Sequence, residues 1–273
     1  MKNIFNSGHL RHVGAVFLVL VLVTEVAAVA VKSPISRVGG KYRLAKRIIE
    51  HFPEHDVYVE VFFGAGHVFF TKERVKVEVV NDVDGDLVNF FRVVKYHPKE
   101  LERQLSYYLR SRQVFADLEK EPRLTDVQRA VRWYLRYQLS FGSLGGSFGY
   151  PKRPPGGGSV PLLKDFRGIA ARLVRTVIEN DDFEAVLRRY DSDAAFFYVD
   201  PPYTGLACPY PYEWSEADEK RLWRVLAAAK GRWLVSWGGR FPKELKKYRV
   251  VKFKTTKCLS RTKRSLEWAV MNY

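Results

Sequence analysis

The sequence is poor in the residues from which metal sites and disulfide frameworks are built. Of its 273 residues only two are cysteine, Cys208 and Cys258, and no Cys-x-x-Cys pair occurs. The six histidines show no spacing that is typical of metal ligands. We therefore expect neither a metal site nor a disulfide-stapled domain, and we interpret both cysteines as ordinary thiols of a cytoplasmic protein.

Acidic residues are scarce relative to basic ones. The chain has 46 lysines and arginines against 30 aspartates and glutamates, which gives a formal net charge of +16. Such an excess indicates a polyanionic partner, most simply nucleic acid, with solubility as the alternative explanation. Aromatic residues are interleaved with the basic ones, as in RWYLRY at 132–137. This mixture suits base stacking beside phosphate neutralisation, and it equally suits an amphipathic helix whose rings pack inward.

A long hydrophobic run, VGAVFLVLVLVTEVAAVAV, occupies residues 13–31. Its length approaches that of a membrane span, and its basic start and small residues resemble a signal peptide. Glu25 within the run argues against a comfortable span. We favour a third interpretation, in which residues 1–31 are an extension from a mis-assigned or dispensable start and the working protein begins near Lys32. A membrane protein with a soluble tail is the alternative.

After this run, strand-like and helix-like segments alternate without an internal repeat, which predicts an α/β architecture. Between about residues 98 and 178 the pattern changes to long, basic, aromatic helices, interrupted by a segment rich in glycine and proline. We therefore predict a core formed by residues 32–97 and 179–273, with a helical insertion at 98–178. The predicted core strands are DVYVEVFF, VKVEVV, RTVIEN, AAFFYVD, GRWLVSW, RVVKFKTTK and LEWAVMNY, the last two related as in a hairpin.

Two of the predicted strands end in residues that suit a nucleoside. The first is followed by Gly64-Ala65-Gly66, and glycines at a strand-to-helix turn let a ligand approach the backbone closely. An ordinary tight turn is the alternative. The second strand ends at Asn81-Asp82, where a carboxylate can accept hydrogen bonds from ribose hydroxyls. Because no full GxGxxG motif and no Walker lysine follow, we predict an adenosine-containing cofactor rather than a dinucleotide or ATP.

Two further strand ends carry carboxylates. Asp181 or Asp182 could accept from the exocyclic amine of adenine, or could equally cap the helix that follows. The strand FFYV ends in Asp200-Pro201-Pro202-Tyr203, where two prolines fix two φ angles and remove two backbone donors. The chain must leave the sheet there along a stiff path, either as a simple Pro-rich turn or as a way of holding the acid and the ring in place.

These segments together resemble the Dam-like adenine-N6 DNA methyltransferases, of the amino-methyltransferase class. The resemblance runs from Lys32 to Tyr273. It departs from the family pattern at Val61, where the glycine motif usually has proline, and at Val38, where a smaller residue is commoner. The resemblance implies a doubly wound, Rossmann-like S-adenosylmethionine-dependent methyltransferase core, a mostly parallel sheet with an antiparallel strand near the C-terminus, and an insertion that recognises DNA. It rests on four segments in this order: RVGGKYRLAKRI, VEVFFGAGHVFF, VVNDVDGDLVNFFRVVK and DPPY.

The resemblance also implies roles for individual residues. Lys41 is expected near the methionine end of S-adenosylmethionine, Asp82 on its ribose, and Asp182, preferred over Asp181, on its adenine. The residues expected to contact the cofactor are Lys41, Tyr42, Phe62, Gly64, Gly66, Asp82, Asp182 and Phe183. The residues expected to hold the target adenine are Asp200, Pro201, Pro202 and Tyr203.

The DPPY residues suit methylation of an exocyclic amine, whose lone pair is delocalised into the ring. Asp200 would accept one amino hydrogen and the Pro201 carbonyl the other, which stabilises the positive charge that develops on the nitrogen. Tyr203 would stack on the base, which must first be flipped out of the duplex. In-line placement of the methyl group supplies much of the rate, and neither a metal nor a covalent intermediate is needed.

We therefore predict a monomeric, cytoplasmic DNA adenine methyltransferase that acts on double-stranded DNA, with a cognate restriction endonuclease as a further possible partner. An adenine methyltransferase of ribosomal or other RNA is the alternative with the same chemistry. A nucleic-acid-binding protein that has lost catalysis is the alternative from another class.

Overall fold

The computed structural model describes residues 31–37, 39–120, 125–149, 164–203, 212–238, 241, 243–256 and 264–273. The hydrophobic run predicted to be an extension, apart from Val31, and both cysteines lie outside the described residues. Within the part that is described, no helix is both long enough and apolar enough to cross a membrane.

One seven-stranded sheet forms the centre of the molecule. Its strands are β1 (Val57–Glu60), β2 (Val77–Asn81), β3 (Val177–Glu179), β4 (Ala195–Val199), β5 (Arg232–Gly238), β6 (Arg249–Thr256) and β7 (Arg264–Met271). Their order across the sheet is β3-β2-β1-β4-β5-β7-β6. Strands β1 to β5 pair in parallel, whereas β7 is antiparallel to both β5 and β6. This confirms the predicted doubly wound, mostly parallel sheet and its C-terminal hairpin.

Helices cover the sheet and build the middle of the chain. Those in the described ranges are α1 (Ala45–Ile49), α2 (His67–Thr71), α3 (Gly85–Tyr96), α4 (Pro98–Leu105), α5 (Arg112–Asp117), α6 (Asp126–Leu139), α7 (Arg167–Leu173), α8 (Phe183–Tyr190) and α9 (Glu216–Ala228). Side chains that cap the first turn fix several of the starts. Asp84 accepts from two backbone N–H groups at the start of α3, and Ser215 forms a capping box with Asp218 at the start of α9.

Both faces of the sheet are buried, because strands in a doubly wound sheet have helices on either side. Every residue of β4 is therefore apolar and buried, which explains why this strand reads as a continuous hydrophobic run. Tyr58 and Phe196 belong to the cluster that contains residues of α1, α2 and α3. Val59 and Phe197, one residue further along their strands, belong to the opposite cluster with residues of α8 and α9.

The helices of the predicted insertion share the core of the first face rather than forming a separate one. Trp133 and Tyr134 of α6 stack on Phe90 of α3, with ring centroids 5.2 and 5.5 Å apart. Both are buried, so the inward-packing explanation of RWYLRY is confirmed for them and the base-stacking explanation is wrong for them. The boundaries of the insertion stay a prediction, and β3 begins at Val177, just inside the predicted limit.

Candidate active site

The predicted functional residues come together at one edge of the sheet. In parallel strands the carboxyl ends lie at the same edge, which is where ligands bind in open α/β sheets. Gly64 follows β1, Asp82 follows β2, Asp182 follows β3 and Asp200 follows β4. Four segments that are distant in the sequence therefore lie along one edge of the sheet.

Asp200 is held at the end of β4 by two contacts. Lys41 Nζ lies 2.7 Å from its Oδ1, and the Tyr203 hydroxyl donates to the same oxygen at 3.3 Å. Both contacts use Oδ1, which leaves Oδ2 as an acceptor for a further donor. Burial raises the pKa of Asp200 above its ordinary value, against the opposing effects of Lys41 and Tyr203.

Lys41 is the centre of this group. Besides Asp200, its Nζ contacts the Gly39 carbonyl and the Tyr203 hydroxyl, both at 3.0 Å, and Glu267 Oε2 at 3.6 Å. Burial disfavours the charge, but Asp200, Tyr203 and Glu267 outweigh it, so the pKa of Lys41 lies well above its ordinary value. Lys41 is therefore a permanently charged, fully engaged side chain. Burial raises the pKa of Tyr203 as well, so its hydroxyl stays neutral.

The glycine turn after β1 contains one open and one crowded glycine. Gly64 and Gly66 both have positive φ, 49° and 66°, which a side chain would strain. A Cβ atom on Gly66 would lie 2.5 Å from the ring of Phe63, whereas one on Gly64 would meet nothing within 4 Å. The turn requires glycine at Gly66, while the open side of Gly64 leaves room for close approach of a ligand. The predicted cofactor contacts of both glycines stay predictions.

Asp82 closes the turn from the neighbouring strand. Its Oδ2 accepts from the Gly64 backbone N–H at 2.8 Å, and its Oδ1 accepts from the Asp84 N–H at 2.9 Å. Because burial raises its pKa, Asp82 depends on these donors and on the nearby Arg37 guanidinium to stay ionised. Asn81 ties the same strand end to the next one through hydrogen bonds with the Asp181 backbone.

Asp182 caps α8, where its Oδ1 accepts from the Glu184 N–H at 2.9 Å. The helix-cap explanation is thus confirmed, and the predicted adenine contact stays a prediction. Its Oδ2 accepts from Arg221 at 2.6 Å, and the Arg221 guanidinium lies 4.3 Å from the ring centroid of Phe183.

Phe62 and Phe183 form an aromatic wall together with Trp214. The ring centroids of Phe62 and Phe183 are 5.7 Å apart, and that of Trp214 is 5.5 Å from each. The Nε1 atom of Trp214 is buried and has no hydrogen-bond partner among the described residues. Sequence reasoning missed Trp214 and Arg221, because neither belongs to a recognisable motif.

Glu267 was also missed. It lies on β7 opposite Gly238 of β5 and accepts a hydrogen bond from the Ser236 hydroxyl at 3.4 Å. The one available signal is a carboxylate inside the apolar strand LEWAVM, because strands rarely bury an acid without a partner.

Tyr42 was predicted to contact the cofactor, and this contact stays a prediction. Its side chain is 63% exposed, and its ring packs edge-on against His67 with centroids 5.7 Å apart. No group of three or more histidine, cysteine, aspartate or glutamate side chains within the described residues is arranged to hold a metal ion.

The family model of the D12 class N6 adenine-specific DNA methyltransferases matches residues 38–237. The chain belongs to this family. The predicted family is thereby confirmed, and membership implies the use of S-adenosylmethionine. The match includes the glycine turn, Asp82 and the DPPY motif, but it ends before β6 and β7.

Curated proteins of similar sequence are named as a DNA adenine methylase and a type II methyltransferase. A DNA adenine methylase of Vibrio cholerae serotype O1 is 28% identical over 182 residues, which are 62% of this chain and 64% of the relative. The type II methyltransferase M1.LlaDCHI of Lactococcus lactis subsp. cremoris is 27% identical over 190 residues, with the same coverage. The chain thus spans 64% of the length of these curated relatives. Among solved structures, the rRNA methyltransferase aviRa from Streptomyces viridochromogenes matches 90% of this chain and 89% of its own, with a TM-score of 0.40 and 14% identity.

Proposed function

We propose that the protein transfers the methyl group of S-adenosylmethionine to the N6 amino group of an adenine in double-stranded DNA. The observation that carries this proposal is the partly buried carboxylate of Asp200, which Lys41 and Tyr203 hold through Oδ1 at the end of β4. A carboxylate oriented in this way needs little reorganisation before it meets the amino group.

Asp200 Oδ2 accepts a hydrogen bond from one N–H of the amino group, and the carbonyl oxygen of Pro201 accepts a hydrogen bond from the other. Both acceptors stabilise positive charge on the nitrogen as its lone pair leaves the ring system and attacks. Pro201 and Pro202 keep the acceptors in place, since each proline fixes its own φ. The proton lost from the methylated nitrogen passes to Asp200 and then to water. Tyr203 stacks on the target base.

The residues at the glycine turn fit the cofactor. A carboxylate has about four acceptor positions, and the backbone uses two of those on Asp82, which leaves positions for ribose hydroxyls. The open side of Gly64 admits the cofactor to the backbone, and Phe62, Phe183 and Asp182 surround its adenine. When bound, the cofactor supplies a methyl group on a positively charged sulfur.

The insertion, 98–178, provides the DNA interface in this proposal. The loop 140–149 is closed by backbone hydrogen bonds from Phe141 to Ser147 and from Gly149 to Leu139, and it presents a 64% exposed Phe141. Lysines and arginines of the insertion neutralise phosphates, while the target adenine is flipped into the site beside Tyr203. We further propose a monomer that acts in the cytoplasm, with or without a cognate restriction endonuclease.

The test is transfer of labelled methyl groups from S-adenosylmethionine to unmethylated genomic DNA and, separately, to ribosomal RNA. We expect label on DNA adenine with the wild type and with Asp193→Ala, an exposed acid just before β4, and no label with Asp200→Ala. Label on RNA alone would change the substrate but keep the mechanism. Binding of DNA without any transfer would mean that the protein is a binding module. Sequencing of the methylated DNA would identify the recognition site.

A further inference from the structure

Lys41 lies between two carboxylates, of which the DPPY motif supplies only one. Asp200 Oδ1 is 2.7 Å from Lys41 Nζ, and Glu267 Oε2 is 3.6 Å from the same atom. Glu267 comes from β7, beyond the end of the family match at residue 237. Its side chain is 16% exposed, so it is a largely buried acid at the active site without an assigned role.

The charge of Lys41 creates a difficulty for the proposed reaction. A carboxylate stabilises the cationic nitrogen through its negative charge, but Lys41 brings a positive charge to the same carboxylate. If Lys41 and Asp200 were the only ionised groups, the site would be electrically neutral. It would then offer no net attraction to a cationic sulfonium or to the cationic nitrogen that forms from it.

The other titratable groups among the described residues that face this cluster supply no negative charge to offset that of Lys41. Burial raises the pKa of Glu60 to about 8, so at neutral pH it is mostly protonated, and burial raises the pKa of Tyr198 and Tyr203. Burial and the charge of Lys41 lower the pKa of His67 to about 4, so it is neutral as well. Glu267 is the remaining acid among the described residues in contact with Lys41.

We propose that Glu267 is a positioning residue that supplies the net negative charge of the active site. Burial raises the pKa of Glu267 and that of Asp200, and the charge of Lys41 opposes both shifts. When both carboxyls are ionised and share Lys41, the three side chains carry a net charge of −1. The Ser236 hydroxyl orients the Glu267 carboxylate, and the antiparallel pairing of β7 with β5 fixes the backbone that carries it. The inference rests on the proposed function, because it assigns Glu267 a role toward the cationic cofactor and the reacting amine.

The charge state of the cofactor provides a direct test. S-adenosylmethionine carries a positive sulfur, whereas its product, S-adenosylhomocysteine, has a neutral sulfur and otherwise differs only by the methyl group. At a distance of roughly 10 Å and an effective dielectric constant of about 20, one unit charge changes a binding equilibrium by on the order of tenfold. Glu267→Gln removes the charge while keeping the size of the side chain.

Calorimetric titration of the full chain with each cofactor is therefore the experiment. We expect Glu267→Gln to bind S-adenosylmethionine about tenfold more weakly while its affinity for S-adenosylhomocysteine is unchanged. Glu267→Asp, which keeps the charge, should recover most of the affinity. Glu54→Gln removes one charge from an exposed position just before β1, at the opposite end of the sheet, and should behave as wild type.

The outcomes separate this inference from the proposed function. Equal losses of affinity for both cofactors, or no loss for either, would overturn the charge role of Glu267 and leave the methyltransferase proposal intact. A wild type that binds neither cofactor would overturn both. Thermal melts of each variant establish that the protein titrated is folded.

Discussion

A Cβ atom on Gly238 would lie 2.4 Å from Cε2 of Tyr203, so the edge of the tyrosine ring rests directly on the backbone at the end of β5. The hydroxyl of the same ring is hydrogen-bonded to Lys41 at 3.0 Å and to Asp200 at 3.3 Å. The ring is thus fixed both at its hydroxyl and along its edge. This fixed position supports the proposal that the ring stacks on a flipped base.

Gly238→Ala tests this arrangement. The added methyl group must displace Tyr203, because the hydroxyl contacts prevent the ring from simply turning away. Base stacking on an aromatic side chain is worth about 1–3 kcal/mol, so kcat/KM for methyl transfer to DNA should fall by roughly 5- to 150-fold. Affinity for S-adenosylhomocysteine, measured by calorimetry, should fall much less. Gly168→Ala, in α7 and outside the loop 140–149, is the control, because a Cβ there would lie at an ordinary 3.7 Å from Val31. Equal effects of the two variants would refute the relationship.

Lys41→Met tests whether the charge of Lys41 lowers the pKa of Asp200. The positive charge of Lys41 lowers the pKa of Asp200 against the effect of burial, so its removal raises that pKa further. In the proposed mechanism Asp200 stabilises the developing positive charge only while it is ionised, and the acidic limb of the pH–rate profile should therefore move to higher pH. At neutral pH we expect a loss of roughly 10²- to 10⁴-fold. Lys46→Met, at an exposed position, should leave the profile unchanged. A Lys41→Met variant whose acidic limb lies at the same pH as that of the wild type would contradict the prediction.

Asp82→Asn tests the glycine turn. Asp82 accepts from two backbone N–H groups, and an amide has only one oxygen to replace two. The neutral amide also removes the charged acceptor to which the ribose hydroxyls of the proposed cofactor would donate, at a cost of about 1–3 kcal/mol of cofactor binding. We expect affinity for S-adenosylhomocysteine to fall by roughly 5- to 150-fold in calorimetric titrations. Asp126→Asn, on an exposed helix start, serves as control, and unchanged affinity in the Asp82 variant would remove this residue from the cofactor site.

Much of this architecture could be predicted from sequence, because the strongest constraints are local. A strand buried on both faces must be apolar along its length, and AAFFYVD shows this directly. The candidate site residues that follow β1, β2 and β4 could be located for the same reason, since each stands immediately after a recognisable strand.

The residues that sequence reasoning missed act over long distances. Lys41 and Tyr203 are 162 residues apart in the chain and in contact in the fold, and a motif at each end made that pair accessible. No motif marks Glu267, Trp214 or Arg221, whose positions depend on the pairing of β7 and the packing of α9. Likewise, sequence alone could not decide whether Trp133 stacks on a base or on Phe90, because both produce the same helical pattern.

Arg172→Met tests the buried ion pairs that Glu78 of β2 forms with Lys72 and Arg172. Glu78 of β2 is hydrogen-bonded to Lys72 at 2.6 Å and to Arg172 at 2.9 Å, and all three are buried. Removal of one partner from such a cluster costs about 3–5 kcal/mol. Lys76→Met, in the exposed pair with Asp56, should cost less than about 1 kcal/mol. Urea denaturation at neutral pH measures both, and similar values would contradict the prediction.

The same cluster predicts a pH dependence of stability. Arg172 and Lys72 lower the pKa of Glu78 from its ordinary 4.5 in spite of burial. The folded state therefore releases this proton more readily than the unfolded state does, and stability increases with pH. The contribution of Glu78 to the free energy of unfolding is complete above about pH 4.5, its unfolded-state pKa. It is lost as the pH falls through the pKa of Glu78 in the folded state. The difference between wild type and Arg172→Met should accordingly shrink in acid, and a constant difference would rule out this electrostatic origin.

Phe141→Ala tests the loop of the insertion. Gly142 and Ser143 both have positive φ, 61° and 55°, a strained turn for serine that leaves Phe141 exposed. Strain of this kind, about 1–3 kcal/mol per residue, persists where the surroundings enforce it and is concentrated at functional sites. We expect the variant to extrude the target base less, which a fluorescent adenine analogue in duplex DNA would report, while cofactor binding is unchanged. Tyr96→Ala removes an equally exposed ring at the end of α3 and should have no effect. If both variants extrude the base as wild type does, the loop does not support base flipping and the contact to DNA must lie elsewhere on the insertion.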